Sequence, residues 1–101
     1  MPSEHRLHPS GELDMLLADD LRKEWLPAVE QLRPDRLVID LSGVTFLDSS
    51  GLGLIVALHK LQERHGGSVV LSGPQRAVRR VLEISGIDRV IEVRVVTPAP
   101  D

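Results

Sequence analysis

The hydrophobic positions of the chain fall into two kinds of pattern, one typical of helices and one typical of buried strands. From Met15 onward, apolar residues recur at steps of three and four, which is the spacing of one face of an amphipathic helix. The residues of this face are Leu17, Leu21, Trp25, Ala28 and Leu32. Pro27 lies inside the pattern. Because proline has no backbone N–H and crowds the preceding turn, we expect it to kink or divide this helix.

Two more helices are predicted by the same spacing. The second begins after Asp48-Ser49-Ser50 and stops at Gly66-Gly67, since glycine is the residue that most often ends a helix. The third is expected to open at Pro74, which suits a first helical position, and to close at Ser85-Gly86.

Short apolar runs separate these helices and predict strands. Leu37–Leu41 is almost wholly apolar, as is typical of a strand that is buried on both faces of a parallel sheet. Ser68–Ser72 is a similar run, Val44–Leu47 is expected to be extended, and Val90–Val96 alternates like a last strand with one wetter face. Strands that alternate with helices predict an α/β fold with a parallel or mixed sheet and right-handed crossovers.

The two ends of the chain give weaker signals. The segment up to Ser10 is polar apart from Leu7, so it predicts at most a poor edge strand, and Gly11–Asp14 predicts a turn into the first helix. Residues 97–101 are expected to form a frayed tail. We therefore expect a single domain over residues 1–101, with its core between about residues 11 and 96.

Composition narrows the function classes. The 101 residues include no cysteine, which excludes a disulfide framework, a cysteine-based zinc site and a thiol nucleophile. A net charge of −3 argues against nucleic-acid binding, and no apolar stretch approaches the roughly 20 residues that span a bilayer. The first residues lead into no apolar segment, so no secretory signal is expected and we predict a soluble cytoplasmic protein. The sequence contains no cofactor motif. The four histidines lack the spacing of a metal site and are expected to be solvated; they are His5, His8, His59 and His65.

Asp48–Gly53 is the segment of the chain that is most expected to contain a functional site. Asp and Ser are preferred helix caps, so a purely structural capping role is one interpretation. However, Gly51 and Gly53 fall in the first turn, where each glycine costs up to about 1 kcal/mol relative to alanine, and that cost suggests backbone held close to another surface. The second interpretation is a phosphorylation switch, because a phosphate at a helix start gains from the helix dipole and the free N–H groups.

A hydrolase is a third and weaker interpretation. Neither Ser49 nor Ser50 lies in a G-x-S-x-G elbow, and the sequence contains no P-loop. His59, the nearest base along the chain, would lie roughly 15 Å away on a regular helix. A serine nucleophile would therefore need a distant base that the fold brings within about 3 Å.

Three segments together resemble the STAS domain, the sulfate transporter and anti-sigma factor antagonist family. They are Gly11–Asp14, Leu37–Gly53 and Gly66–Leu71, and the similarity runs from about Gly11 to Val93. The resemblance implies a sheet of four to five strands with helices mainly on one face, and no catalysis by the domain itself. The polar leader and Pro27 depart from the family pattern.

The resemblance also implies a function and a site. Bacterial anti-sigma factor antagonists bind an anti-sigma factor that is also a serine kinase. This kinase phosphorylates the serine that follows the aspartate of the antagonist, and the phosphorylation releases the anti-sigma factor from the antagonist. A serine phosphatase resets the switch. The position corresponds to Ser49 here, and the implied partner-binding residues are Asp14, Asp48, Ser49, Ser50, Gly51 and Leu52. No metal, cofactor, nucleic acid or membrane insertion is implied.

An alternative stays open within the same family. The chain can instead be a non-switching STAS subunit of a lipid-transporting ABC complex or of a stress-signalling scaffold. Since the polar leader leaves the first edge of the sheet short, missing or supplied by a partner chain, a homodimer formed by strand addition is also possible.

Overall fold

The computed structural model describes residues 2–96, so the tail predicted at residues 97–101 lies outside the described residues. The described part contains six strands and three α-helices. The strands are β1 (Glu4–Leu7), β2 (Gly11–Leu13), β3 (Arg36–Asp40), β4 (Val44–Leu47), β5 (Ser68–Ser72) and β6 (Glu92–Arg94). The helices are α1 (Met15–Leu32), α2 (Ser49–Arg64) and α3 (Arg76–Ser85), and a 3₁₀ turn follows at Ile87–Arg89.

The strands form two separate parallel sheets. The larger sheet has four strands in the order β1-β3-β5-β6, and the smaller one pairs β2 with β4. Every strand pair of the described chain is parallel. The predicted α/β architecture with four to five strands is thus confirmed, with the addition of a small second sheet.

The helices cover mainly one face of the larger sheet. On that face Leu37 and Ile39 of β3 are level with Val69 and Leu71 of β5, and all four are buried in the main core. Because strand side chains alternate, Val38 and Val70 point to the opposite face. There Arg6 and Glu92 lie level with them on the two edge strands. This opposite face therefore carries charged side chains at its edges and buried valines at its centre.

The N-terminal segment forms more regular structure than its composition predicts. β1 pairs with β3 along its whole length, and Ser3 ties its start to Asp35 through a 2.7 Å hydrogen bond from its backbone N–H. Leu7 alone of β1 is buried. The expectation of an edge strand is confirmed, whereas the turn predicted at Gly11–Asp14 is wrong, since Gly11–Leu13 is strand β2. Its partner β4 is remote in sequence, so local residue preferences do not reveal it.

The structure contradicts the predicted division of α1 at Pro27 and the predicted helix start at Pro74. α1 runs unbroken past Pro27, whose ring is exposed, so the carbonyl that loses its hydrogen bond, that of Lys23, faces water. α3 begins at Arg76 behind Gln75, which leaves the buried Pro74 before the helix and not at its first position. The chain ends the helix at Gly86 as predicted, with a left-handed φ of 81°.

The bounds of the last strand and the burial of one residue of α1 also differ from the predictions. The last strand is restricted to Glu92–Arg94, because a 3₁₀ turn precedes it and Val95 and Val96 lie outside the ladder. Leu32, predicted on the buried face of α1, is 55% exposed at the end of that helix.

Gln62 ties the end of α2 to the starts of the strands. Its side chain is fully buried, and its Nε2 donates to the carbonyl oxygens of Pro34 at 2.9 Å and of Ser68 at 3.1 Å. A Cβ on Gly67 would come within 2.7 Å of that Nε2, so glycine is needed beside it. Such buried polar bonds are costly to lose because the carbonyls are left without partners.

Candidate functional site

The site begins where the two strands of the small sheet end. Leu13 and Leu47 are register partners in parallel strands, so the residues that follow them, Asp14 and Asp48, lie side by side. Each aspartate caps the helix that it precedes, α1 and α2 respectively. Both helices therefore start at the same edge, with two carboxylates at their adjoining N-termini.

Both caps are formed by hydrogen bonds of ordinary length. Asp14 Oδ1 accepts from the N–H of Leu17 at 3.0 Å, and Asp48 Oδ1 accepts from Ser50 at 2.9 Å and from Gly51 at 3.2 Å. The capping interpretation of the segment is thus confirmed. It leaves the first helical residue of α2, Ser49, free for another role.

Ser49 is the more accessible of the two serines. It is exposed at the first position of α2, and its hydroxyl makes no hydrogen bond to any described residue. Ser50 is half-buried, and its backbone N–H is bound to Asp48. Of the two serines at this helix start, Ser49 is therefore the more exposed to solvent.

Gly51 and Gly53 differ sharply, although the same explanation was predicted for both. A Cβ on Gly51 would lie 2.8 Å from the carbonyl oxygen of Leu13 and would also collide with Leu47, so α2 can approach the small sheet only with glycine there. A Cβ on Gly53 would meet nothing closer than Nη2 of Arg22, at 3.7 Å. Close backbone packing thus accounts for Gly51 but not for Gly53.

A shallow groove runs between the first turns of α1 and α2. Its volume is about 260 Å³, and its lining residues are Met15, Ala18, Asp19, Arg22, Ser49, Ser50 and Gly53. Asp19 is paired with Lys23 at 3.1 Å, whereas Arg22 is in no ion pair within residues 2–96. The groove thus places an uncompensated guanidinium near two serine hydroxyls.

Sequence reasoning missed the apolar residues beside the site. Met15 and Leu16 are 66% and 74% exposed at the start of α1, directly after Asp14. Exposed apolar side chains beside polar ones are typical of surfaces that bind proteins. Leu52, predicted on the same surface, is half-buried and packs against the core. The sequence shows Met15 at the beginning of the apolar helix pattern, but only the packing shows that it faces outward.

The prediction of solvated histidines holds for His8, whose side chain is 64% exposed, but not for His59. The His59 side chain is only 17% exposed and pairs with Glu63 at 3.2 Å, one turn further along α2. His8 lies 3.5 Å from Asp40, whose pKa is held below its ordinary value chiefly by hydrogen bonds from Ser42 and further by His8. None of the four histidines is among the residues that line the groove.

The described residues contain neither a metal-binding cluster nor a membrane-spanning helix. Within residues 2–96, no group of three or more His, Cys, Asp or Glu side chains is placed to hold a metal ion. None of the helices in that part of the chain is long and apolar enough to cross a membrane.

Comparisons with known proteins point to one family. The family model for the STAS domain matches residues 4–97. The chain is 32% identical to an anti-sigma F factor antagonist of Paenibacillus polymyxa, over 83% of this chain and 72% of that protein. It is likewise 32% identical to an anti-sigma-B factor antagonist of Bacillus subtilis, over 83% and 75% of the two chains. A crystal structure of an anti-sigma factor antagonist from Mycobacterium paratuberculosis superposes with a TM-score of 0.81 at 31% identity, over 93% and 79%.

Proposed function

Because this chain belongs to the STAS domain family, and its relatives in Paenibacillus polymyxa and Bacillus subtilis are named anti-sigma factor antagonists, we propose that it binds an anti-sigma factor and so releases a sigma factor. The observation that carries the proposal is the exposed, unbonded hydroxyl of Ser49 beside the cap of Asp48. The protein acts by binding in the cytoplasm, where sigma factors work, and catalyses no reaction itself.

The partner-binding surface is the edge formed by the two helix starts. We assign to it Asp14, Asp48, Ser49, Ser50, Gly51 and Leu52, with the exposed Met15 and Leu16 as apolar contacts. Carboxylates beside exposed apolar side chains suit a partner surface that combines basic and apolar side chains.

Phosphorylation of Ser49 is the proposed switch. The anti-sigma factor, acting as a serine kinase, transfers the γ-phosphoryl group of ATP to the Ser49 oxygen, which loses its proton as ADP leaves. The new group carries a charge of about −2 at neutral pH. A partner that tolerates the two carboxylates of Asp14 and Asp48 then meets about twice their negative charge. A serine phosphatase restores the hydroxyl by hydrolysis.

The first test is the intact mass of the protein after incubation with ATP and each candidate serine kinase of its source genome. We expect the wild type to gain one phosphate, Ser50→Ala to gain it too, and Ser49→Ala to gain none. Loss of the phosphate in Ser50→Ala but not in Ser49→Ala would move the switch to the neighbouring serine. No phosphate with any candidate kinase would contradict a switching function and favour a non-switching assembly subunit.

The second test is the affinity for the kinase that the first test identifies, measured by calorimetry. We expect Ser49→Ala to bind as the wild type does, because the hydroxyl is small, and Ser49→Glu to bind at least ten-fold more weakly. Ser68→Glu is the matched control, since it adds the same charge at the start of β5. Equal affinities of the Ser49→Glu and Ser68→Glu variants would show that charge at this edge is not the switch.

A further inference from the structure

The groove between α1 and α2 places a free cation one helical turn from Ser49. Gly53 lies four residues after Ser49, so the two positions share one face of α2, roughly 5–6 Å apart. The Nη2 atom of Arg22 lies 3.7 Å from where a Cβ on Gly53 would be, and nothing else lies within 4 Å of that point. The missing side chain of Gly53 thus leaves space on α2 that the guanidinium occupies.

The direction of the arginine side chain also favours this edge. Helical side chains tilt toward the N-terminus of their helix, so Arg22 extends from the second turn of α1 back toward its start. α1 and α2 begin side by side, at the ends of paired strands. The guanidinium therefore points along the groove toward the residue that would carry the phosphate.

Other charges near the groove are already engaged. Lys23 neutralises Asp19, and the capping oxygens of Asp14 and Asp48 accept backbone hydrogen bonds. In the described chain Arg22 has no such partner. Its guanidinium offers several donors in a planar fork, which matches phosphate oxygens better than an ammonium does.

We propose that a phosphoryl group on Ser49 pairs with the guanidinium of Arg22 across the groove and so ties the start of α2 to α1. The pairing rests on the proposed function, since it takes Ser49 as the modified residue. It assigns a role to Gly53, because a side chain longer than that of alanine would extend into the place of the guanidinium. The phosphorylated edge is then a fixed anionic surface and not a mobile charged side chain.

The test uses the full chain with phosphoserine incorporated at position 49 during translation, so that no cognate kinase is needed. Phosphorus NMR during a pH titration gives the second pKa of the phosphoserine, which is ordinarily about 6. We expect Arg22→Gln to raise that pKa by about half a unit or more, because an adjacent cation favours the dianion. Asp14, Asp19, Asp48 and the first N–H groups of α2 also act on the phosphate, but they are unchanged in every variant compared.

Two further variants separate a specific ion pair from a general change in charge. Arg80→Gln removes the same charge from an exposed position on α3, and we expect it to leave the phosphoserine pKa unchanged. Gly53→Leu keeps all charges but fills the space of the guanidinium, and we expect it to raise the pKa as much as Arg22→Gln does. If Arg22→Gln and Arg80→Gln titrate alike, the ion pair does not form. That result would leave the kinase test of Ser49 unaffected, and a failed kinase test would leave this titration unaffected.

Discussion

The contrast between Gly51 and Gly53 gives a sharp test of how α2 is positioned. The two glycines are two residues apart in the same first turns of one helix, and alanine is the better helix former at both by up to about 1 kcal/mol. Intrinsic preference alone therefore predicts that Gly51→Ala and Gly53→Ala both stabilise the protein. Packing predicts that they act in opposite directions.

The magnitudes follow from the contacts of an added methyl group. At Gly53 the new Cβ would lie 3.7 Å from a flexible guanidinium, an ordinary contact, so we expect a gain of about 0.5–1 kcal/mol. At Gly51 it would lie 2.8 Å from the carbonyl oxygen of Leu13 and 3.0 Å from Leu13 Cγ. That backbone is fixed by its ladder with β4, so α2 must shift outward, and overpacking of this kind costs about 1–3 kcal/mol. After the helix-forming gain of about 0.5–1 kcal/mol is subtracted, Gly51→Ala should lose up to about 2.5 kcal/mol.

Urea unfolding followed by fluorescence measures the difference. Trp25 is the single tryptophan and is 9% exposed, so its emission reports loss of the core around α1. We expect the unfolding free energies of Gly53→Ala and Gly51→Ala to differ by about 1–3 kcal/mol, a large part of the stability of a small domain. A Gly51→Ala variant as stable as Gly53→Ala would refute the close contact between α2 and the small sheet.

Three further predictions concern single residues. Asp48→Ala should lower the unfolding free energy by about 1 kcal/mol in urea unfolding, whereas Asp48→Asn, which keeps a capping oxygen, should lose less; equal losses would argue against the cap. Gln62→Leu should cost about 1–3 kcal/mol in the same assay, because the buried carbonyl of Pro34 loses its donor, and an unchanged midpoint would contradict this. The pKa of Asp40 is lowered from 3.8, so its contribution to stability is present above that pH and is lost as the pH falls through the lower folded-state value. Asp40→Asn should therefore flatten the acid limb of stability measured from about pH 5 to about pH 2, and an equally steep limb would show that Asp40 does not contribute to it.

Sequence patterns predicted the parts of the fold whose signals are local. Leu37–Leu41 and Ser68–Ser72 carry enough apolar, β-branched character to identify β3 and β5, and Asp48 is a strong cap before a clear helical period. Strand β2 was not predicted, because its three residues, one of them glycine, have little strand preference of their own. It is a strand only because β4, some thirty residues later, lies beside it, and pairing at that separation has no local signature.

Only the local part of the candidate site was predicted from the sequence, because packing between distant segments has no local signal. Ser49 and Asp48 are adjacent in the chain, so their shared position at a helix start follows from local rules. The approach of Arg22 to Gly53 depends on how two helices pack, and the sequence contains no pattern that encodes it. Because glycine is costly in a helix, the sequence identified Gly51 and Gly53 as unusual. It did not show which of the two packs against a strand and which faces the groove.

The division into two sheets explains how a charge at the site can change binding without unfolding the chain. The apolar core between the helices and the larger sheet rests on residues such as Leu37, Ile39 and Leu71, each at most 1% exposed. Ser49 lies outside that core, above the smaller sheet, and its oxygen is already in water. Placing a phosphate there buries no charge, so the fold incurs no desolvation penalty, while any partner that docks on this edge must desolvate the new charge or repel it. The proposed phosphate would therefore act mainly on the interface, and within the domain it would add only an exposed ion pair with Arg22, which is worth about 1 kcal/mol or less.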